Sequence, residues 1–196
     1  MSKNLLPELL FKRRSVREFS SAAIPKACLK KLIWASQGQT GSEGKRVCPS
    51  AHALYPLKLF ASVGRVEGLE TGFYAIDASS GSLELLENRN LQSALRAAAL
   101  DDQPWLEEAA LVLTIYADMA AVNLAFSEQV PLGRRGERYA YIEAGAVAQN
   151  LAMQALELGI GSVLVAGFND VATASVHSIQ LQPLLHVCFG FPLRPL

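Results

Sequence analysis

The stretch Tyr141–Leu158 constrains the fold more than any other part of the chain, because its residues favour a helix and are apolar almost all round. A helix without a continuous polar face must be enclosed by other elements or lie at an interface. Gly145 and many alanines allow close packing, and Gly159 and Gly161 end the helix. We therefore predict a long helix that is either central in the fold or packed at an interface.

Shorter helices and strands follow one another irregularly in the remaining sequence. The other predicted helices are Leu5–Leu10, Lys26–Ser36 and Asn90–Leu100, and the predicted strands are Leu57–Val63, Gly72–Asp77, Ser82–Leu86, the buried end of Glu107–Ala117, Ser162–Ala166 and Leu184–Phe189. This order has no regular βαβ rhythm, so an α+β layered fold is favoured over a doubly wound one. The 196 residues suffice for one domain, which we expect to span 1–196.

The charges exclude some classes of function. The 18 basic and 18 acidic side chains cancel, whereas a general nucleic-acid or membrane-surface binder needs a net positive field. No apolar run reaches the roughly 18–20 residues of a transmembrane helix, and the N-terminus does not resemble a secretory signal. We therefore predict a cytoplasmic protein with no nucleic-acid or membrane partner. Because 51% of the residues are hydrophobic, self-association is favoured.

Metal chemistry and the common nucleotide sites are also disfavoured. The cysteines and histidines are dispersed, without metal-ligand spacing or a disulfide framework. They are Cys28, Cys48, Cys188, His52, His177 and His186. The sequence contains no GxGxxG, Walker, GxSxG or HExxH motif. We predict no metal site.

A basic segment near the N-terminus is the first candidate for ligand binding. If Arg13–Phe19 is extended, alternate side chains share a face, so Arg13, Ser15 and Arg17 present two guanidinium groups and a hydroxyl together. This set suits a phosphate, which arginine binds through two parallel hydrogen bonds. The alternative interpretation is a solvated basic stretch.

Three other segments place small residues beside polar ones. They are CPSAHALYP at 48–56, EAG at 143–145 with Gln149-Asn150 on the long helix, and VAGFND at 165–170, where a strand enters a glycine turn. Small residues let a flat ligand approach the backbone closely, and a turn can present an N–H group. Each segment also has an ordinary structural interpretation, namely a rigid loop, helix packing and a strand end.

Taken together and in this order, the segments resemble the nitroreductase-like FMN flavoprotein superfamily, and within it the SagB-like branch. The resemblance runs through RRSVREF, LIWASQGQT, PSAHALYPLKLF, GLETGFYAID, IEAGAVAQNLAMQALELGIG, VAGFND and a terminal GFP. It implies an α+β fold with a mostly antiparallel central sheet flanked by helices, and a homodimer with FMN at its interface. It also implies a ping-pong oxidoreductase: NADH or NADPH reduces FMN, and a nitroaromatic, quinone or similar small acceptor reoxidises it.

The resemblance assigns phosphate binding to the basic residues. Arg13, Arg14, Ser15 and Arg17 match the stretch that holds the FMN phosphate and ribityl chain and reaches the ring edge, and Arg194 is expected to reach the phosphate. Many relatives continue past GFP with an arm that wraps the partner. Because few residues follow GFP here, we expect this arm to be short or absent.

A second segment is expected to contact the flavin of the partner subunit. Pro49, Ser50 and Ala51 match it, and His52 stands where the family pattern has glycine. A bulky, titratable side chain there would narrow or polarise the pocket, so His52 is the candidate substrate-side residue. The alternative is a histidine on a surface loop. No other catalytic residue is assigned, since the reaction needs no dedicated general base.

The glycine turn is expected to lie against the ring near N5 through the backbone of Val165, Ala166 and Gly167. Many nitroreductases have an acidic residue at the position of Ala166, so a backbone contact is retained here and a side-chain role is lost. Azoline-oxidising members of the SagB branch share a Lys-Tyr pair before the helix that contains Glu143, where this chain has Val130–Arg135. The resemblance therefore favours a reductase.

Alternative functions stay open from the sequence. A flavin-binding or storage protein would bind FMN without consuming NAD(P)H faster than free flavin does. A partner-dependent, SagB-like subunit of a peptide-modifying complex would show little activity alone. An interaction domain without flavin would require all the matching segments to be coincidental.

Overall fold

Six strands form one sheet at the centre of the computed structural model, which describes residues 5–129 and 135–194. The strands are β1 (Leu57–Val63), β2 (Gly72–Asp77), β3 (Ser82–Glu87), β4 (Leu111–Ala117), β5 (Gly161–Val165) and β6 (Gln182–Gly190). Their order is β3-β2-β1-β4-β6-β5, and every neighbouring pair is antiparallel. The predicted α+β fold with an antiparallel central sheet is confirmed.

Helices pack on both faces of this sheet. They are α1 (Leu5–Lys12), α2 (Lys26–Gln37), α3 (Gln92–Ala97), α4 (Trp105–Glu108), α5 (Met119–Ala125), α6 (Arg135–Glu157) and α7 (Asp170–His177). One face packs against α2 and α6 through β4 side chains such as Leu111 and Leu113. The opposite face packs against α3, α4 and α7 through side chains such as Val112. All seven residues of β4 are buried, as a strand covered on both faces requires.

The long helix α6 is longer than the predicted Tyr141–Leu158. It begins at Arg135 and ends at Glu157. Gly136 allows this first part to pack against α5, since a Cβ there would overlap the carbonyl of Val122. Half of these first six residues are charged, so apolar periodicity did not identify them as helix. The Val130–Arg135 stretch predicted to replace the Lys-Tyr pair falls, except for Arg135, outside the described residues.

The helices α4, α5 and α7 were not predicted, although the last two begin with a recognisable cap. The Asp118 side chain accepts a hydrogen bond from the N–H of Ala121 at the start of α5. Asn169 accepts one in the same way from Ala172 at the start of α7. Both distances are 2.9 Å, typical of an N-cap.

Several predicted boundaries need correction, and the strand predicted at Leu184–Phe189 extends from Gln182 to Gly190. The helix predicted at Asn90–Leu100 covers only Gln92–Ala97, because the N–H of Leu100 donates to the Gly167 carbonyl and not to a helix carbonyl. The strand predicted at Ser162–Ala166 begins and ends one residue earlier.

The antiparallel pairing defines two ends of the sheet. At the α1 end, β5 begins at Gly161 beside the last residue of β6, and β1 finishes at Val63 beside the start of β4. At the α5 end, β1 begins at Leu57 and β5 finishes at Val165. The helix α6 runs from the α5 end to the α1 end, where it connects to β5.

Candidate functional site

The basic segment lies beside the beginning of β5, at the α1 end. Ser15 pairs with Ser162 in an isolated parallel bridge, and the N–H of Val16 donates to the Ser162 carbonyl at 2.9 Å. A Cβ at Gly161 would overlap the Val16 side chain, so this approach needs glycine. The segment is therefore attached to the outer edge of the sheet.

An open cavity of about 350 Å³ lies against this segment. Ser15, Arg17 and Arg194 line it, so three residues expected near a phosphate lie together. Arg14 also lines it, but its guanidinium donates to the backbone carbonyls of Phe11 and Arg13 at 2.9 and 2.8 Å. The cavity is thus rich in cations and open to solvent.

The two other guanidinium groups are held differently. The Arg17 guanidinium lies over the Trp105 ring, 5.3 Å from the ring centre. Arg194 pairs with Glu18 at 3.7 Å, and both side chains are exposed. An exposed pair of this kind exchanges readily with solvent, so Arg194 is free to reorient, whereas the aromatic face orients Arg17.

Arg13 does not line this cavity. It borders a small cleft beside Leu156 of α6. The N–H of Arg13 still donates to the carbonyl of Leu9, as in a helix, so the extended backbone starts only after it. The shared face expected for Arg13, Ser15 and Arg17 therefore holds for the last two residues alone.

The glycine turn follows the opposite end of β5. Val165 is 2% exposed and its side chain packs in the core, so only its backbone can meet a ligand. The Gly167 carbonyl accepts hydrogen bonds from Gln103 Nε2 at 2.8 Å and from the N–H of Leu100 at 3.0 Å. Across the described ranges, the Gly167 N–H donates to no loop or side-chain acceptor. No local sequence pattern indicates that Gln103 holds this turn.

Leu164 is a further candidate that the sequence analysis missed. It is 46% exposed, whereas its two strand neighbours are buried, and it shares the outer face of β5 with the exposed Ala166. Strand alternation within Ser162–Ala166 could have identified it. From Ser162 to Gly167 the extended backbone spans roughly 17 Å. The basic segment and the glycine turn therefore lie at the two ends of one partly apolar strip.

The second and third segments meet on α6. Glu143 Oε1 accepts hydrogen bonds from the Ser50 hydroxyl at 3.0 Å and from the Ala51 N–H at 2.8 Å. Asn150 Nδ2 donates to the Cys48 sulfur at 3.2 Å. Two segments that the sequence presented separately thus form one unit at the α5 end.

A cavity of about 290 Å³ opens beside this unit. It is lined by Pro49, Ser50, Ala51, Tyr139, Ile142 and Glu143. The exposed His52 does not line it: its ring packs edge-on against Phe126, with the ring centres 5.1 Å apart. Phe126 in turn packs against Tyr139 at 4.7 Å.

Burial controls ionisation in this unit. Burial raises the pKa of the Glu143 carboxyl, and the hydrogen bonds from Ala51 and Ser50 oppose that shift. Burial, with a further contribution from Glu143, raises the pKa of the Cys48 thiol to about 11. The thiol is therefore protonated near neutral pH and is a poor nucleophile.

The two halves of the candidate site lie far apart within one chain. Arg13 borders Leu156 of α6, whereas Ser50 and Ala51 bind Glu143 of the same helix. Positions 143 and 156 are separated by roughly 20 Å of helix. Since β1 and β5 are three places apart in the sheet, they are separated by roughly 14 Å as well. The Ser50 segment therefore does not reach the basic cavity of its own chain.

The sequence matches the profile of the Nitroreductase family over residues 10–191. The chain belongs to the nitroreductase family. It is 34% identical over 185 residues to the nitroreductase homologue MJ1384 of Methanocaldococcus jannaschii, an alignment that covers 94% of this chain and 90% of that protein. The protein is therefore an oxidoreductase of the nitroreductase family, and its place in the SagB-like branch stays a prediction.

Solved structures with the nitroreductase fold agree with this assignment. A nitroreductase homologue from Ralstonia eutropha superposes with a TM-score of 0.80 at 25% identity, covering 96% of this chain and 83% of that one. A chain of the Escherichia coli microcin synthetase McbBCD complex gives 0.71 at 24%, with 91% and 69% covered. A Desulfovibrio desulfuricans homologue in complex with FMN gives 0.67 at 15%, with 98% and 89% covered.

The described residues contain neither a candidate membrane span nor a candidate metal cluster. No helix in these ranges has the length and apolar character to cross a bilayer. No cluster of three or more histidine, cysteine, aspartate or glutamate side chains is placed to bind a metal ion there.

Proposed function

We propose that the protein is a homodimeric FMN-dependent oxidoreductase. The observation that carries this proposal is the strip along β5, with Ser15 and Arg17 at its beginning, Leu164 and Ala166 on its face and Gly167 at its end. These groups suit, in that order, a phosphate, a flat apolar ring and a ring nitrogen that accepts a hydrogen bond. The FMN complex of the Desulfovibrio homologue supports this choice of flavin.

Each part of the strip has its own task in this proposal. Bound FMN would supply reversible hydride transfer, which no side chain provides. Arg17 and Ser15 would bind the phosphate, and Arg194 would leave its exposed pairing with Glu18 to join them. The Gly167 N–H would donate to the ring, and its fixed carbonyl would keep that donor in place. Arg13 and Arg14 would line the approach to the phosphate.

The proposed reaction is ping-pong. The site would admit NADH or NADPH first and then, in the same space, a nitroaromatic, quinone or similar small acceptor, and bound FMN would carry the hydride from the first to the second. No general base is required, and His52 is proposed only to shape or polarise the acceptor pocket.

A second copy of the chain would complete the site. The roughly 20 Å between the basic cavity and the Ser50 segment supports assigning Pro49, Ser50 and Ala51 to the flavin of the partner. One face of α6 also lacks a neighbour among residues 5–129 and 135–194: Tyr141 and Ile142 are 55% and 62% exposed, and a Cβ at Gly145 would meet no described atom within 4 Å. An apolar face that contains a glycine suits close packing of another helix.

The visible absorption spectrum tests the proposal. The purified protein should show bands of bound oxidised flavin, and NADH or NADPH under nitrogen should bleach them. A protein that stays colourless after incubation with FMN would contradict flavin binding. A bound flavin that does not bleach would support the storage alternative instead.

A partner-dependent subunit is the second candidate function. The similarity to a chain of the microcin synthetase complex favours it. In that case the bound flavin would turn over slowly with the protein alone and faster with a peptide-modifying partner. Comparing NAD(P)H oxidation by the isolated protein with oxidation by free FMN at equal concentration distinguishes the two candidates.

A further inference from the structure

Glu143 is a buried carboxyl that uses only one of its two oxygens. It is 6% exposed, and Oε1 accepts hydrogen bonds from Ser50 and Ala51. Oε2 is enclosed and has no hydrogen-bond partner among residues 5–129 and 135–194. Burying a polar atom without a partner costs free energy, so the bonds made by Oε1 must contribute something that offsets this cost.

The segment held by Glu143 is the most strained backbone that the structure describes. Its residues His52, Ala53 and Tyr55 have φ values of 53°, 53° and 49°, and only Ser178 shares this feature among the other described non-glycine residues. The left-handed region is unfavourable for residues with a side chain, and such strain persists only where the surroundings enforce it. The segment therefore needs an external hold.

Ser50 connects Glu143 to the strained residues. Its hydroxyl donates to Glu143 Oε1 and accepts the N–H of Tyr55 at 2.8 Å, which closes a short loop around His52 and Ala53. The Arg46 guanidinium lies over the Tyr55 ring, 4.3 Å from the ring centre, and holds the far side of that loop. The Glu143 carboxyl is thus the anchor on α6 for the whole turn.

We propose that Glu143 is a positioning residue that holds the Pro49–Tyr55 turn in the conformation that completes the flavin site of the partner subunit. This inference rests on the proposed function. Glu143 acts through the turn: Oε1 is occupied by the turn itself and Oε2 is enclosed, so the carboxyl has no free atom to offer the flavin. Each subunit would then control the occupancy of its partner's site.

Three variants test the positioning role. E143A removes the acceptor and should weaken FMN binding about tenfold or more, as expected for the loss of two hydrogen bonds to one carboxyl. E143Q keeps a side-chain oxygen and should stay within about threefold of the wild type. E157A, on an exposed glutamate of the same helix, is the control and should leave affinity unchanged. Flavin fluorescence quenching gives the affinity, and the band positions report the ring environment.

Equal FMN affinity and equal spectra in E143A and wild type would overturn the inference. If E143A does not fold, as judged by circular dichroism, S50A replaces it, since that variant keeps the carboxyl but breaks its connection to Tyr55. S50A should also weaken FMN binding and shift the flavin bands, and unchanged binding would again overturn the inference. A wild type that binds no FMN would contradict the proposed function first, so the two failures are distinguishable.

Mixed dimers test the partner relationship directly. An E143A chain keeps its basic cavity, and an R17A/S15A chain keeps its turn, so a heterodimer has one intact site and one doubly altered site. Random pairing of the two chains should restore about a quarter of the wild-type FMN sites, although neither homodimer binds well. No recovery in heterodimers isolated with two affinity tags would show that both halves serve the same chain, which would overturn the proposal.

Discussion

The sheet has a polar network against each face, and the two networks are built in opposite ways. Toward α7, the Tyr116 hydroxyl lies 2.7 Å from His177 Nδ1, Ser62 Oγ lies 3.3 Å from His177 Nε2, and Phe73 stacks on the His177 ring at 4.2 Å. Toward α6, Glu143 holds a loop whose backbone is strained. The first network packs on regular strands, whereas the second supports a turn whose conformation depends on the hydrogen bonds to Glu143.

The two networks have different roles: the one around His177 stabilises the fold, and the one around Glu143 positions a turn. The network around His177 is enclosed by aromatic rings on regular elements, so its hydrogen bonds stabilise the packing of α7 on the sheet. The Glu143 network holds residues with an unfavourable backbone conformation near an exposed surface, and such strain is typical of segments that bind a ligand. Changes in the first should therefore alter the free energy of unfolding, and changes in the second should alter binding.

Acidification should have the largest effect on stability, and it should act mainly through the histidine network. Burial lowers the pKa of His177 to about 4, and burial together with His177 lowers the pKa of His186 to about 3. Because the unfolded chain binds these protons first, stability is complete above about pH 6.5 and falls as the pH falls below it. From pH 7 to pH 5 the free energy of unfolding should drop by about 4 kcal/mol in urea titrations. H177Q should lose about half as much, and a pH-independent stability of the wild type would refute this role.

The second largest effect should be on FMN affinity, without a change in stability. R17A/S15A removes one guanidinium and one hydroxyl from the basic cavity and should weaken FMN binding about a hundredfold. The free energy of unfolding should stay the same, because both side chains are exposed. R89A, at an exposed arginine paired with Glu87, is the matched control and should change neither quantity. A large loss of stability in R17A/S15A would contradict the expectation that the basic cavity contributes to binding and not to stability.

His52 offers a smaller test of the strained turn. If its ring borders the acceptor pocket, H52G should change kcat/KM for a nitroaromatic severalfold and leave kcat/KM for NADH nearly unchanged. Glycine also tolerates a φ of 53°, so the turn itself should persist. Steady-state kinetics with both substrates measure the two effects. Unchanged acceptor kinetics would make His52 a surface residue that only packs on Phe126.

The smallest expected effect measures the strain itself. A53G should stabilise the protein by about 0.5–1 kcal/mol, because relief of a left-handed alanine outweighs the added chain entropy of glycine. The control A120G, on an exposed alanine of α5, should destabilise it by about 1 kcal/mol. Thermal unfolding of both variants gives the comparison. Destabilisation by A53G would mean that the turn is not strained at that residue.

The sequence predicts the helices and strands better than it predicts which residues of different elements lie together in the fold. Alternation and periodicity found the strands and the long helix, since these patterns depend on burial within one element. His177 and His186 looked dispersed, yet their rings lie 6.5 Å apart, because β6 pairs His186 with Thr114 and α7 lies over the same face. No local pattern encodes that register.

The candidate site shows the same limit. Glu143 and Ser50 were both singled out from the sequence, but only the packing of α6 reveals that they bind each other. Arg13 was expected to share a face with Ser15. Its N–H instead makes the last helical hydrogen bond of α1, so its side chain borders the cleft beside Leu156. The role of Gln103 depends entirely on a tertiary contact.

The position of β5 at the border of the sheet has a consequence for handling the protein. Beyond the bridge at Ser162, its outer edge has no neighbouring strand in the described part of the chain, and the exposed Leu164 adds apolar surface on one face of the strand. An uncovered strand of this kind is a template on which other chains can add, as in amyloid growth. In the proposed assembly, the bound ligand and the second copy of the chain would also cover this strand. Aggregation should therefore be most severe after synthesis and before the dimer with its ligand has formed.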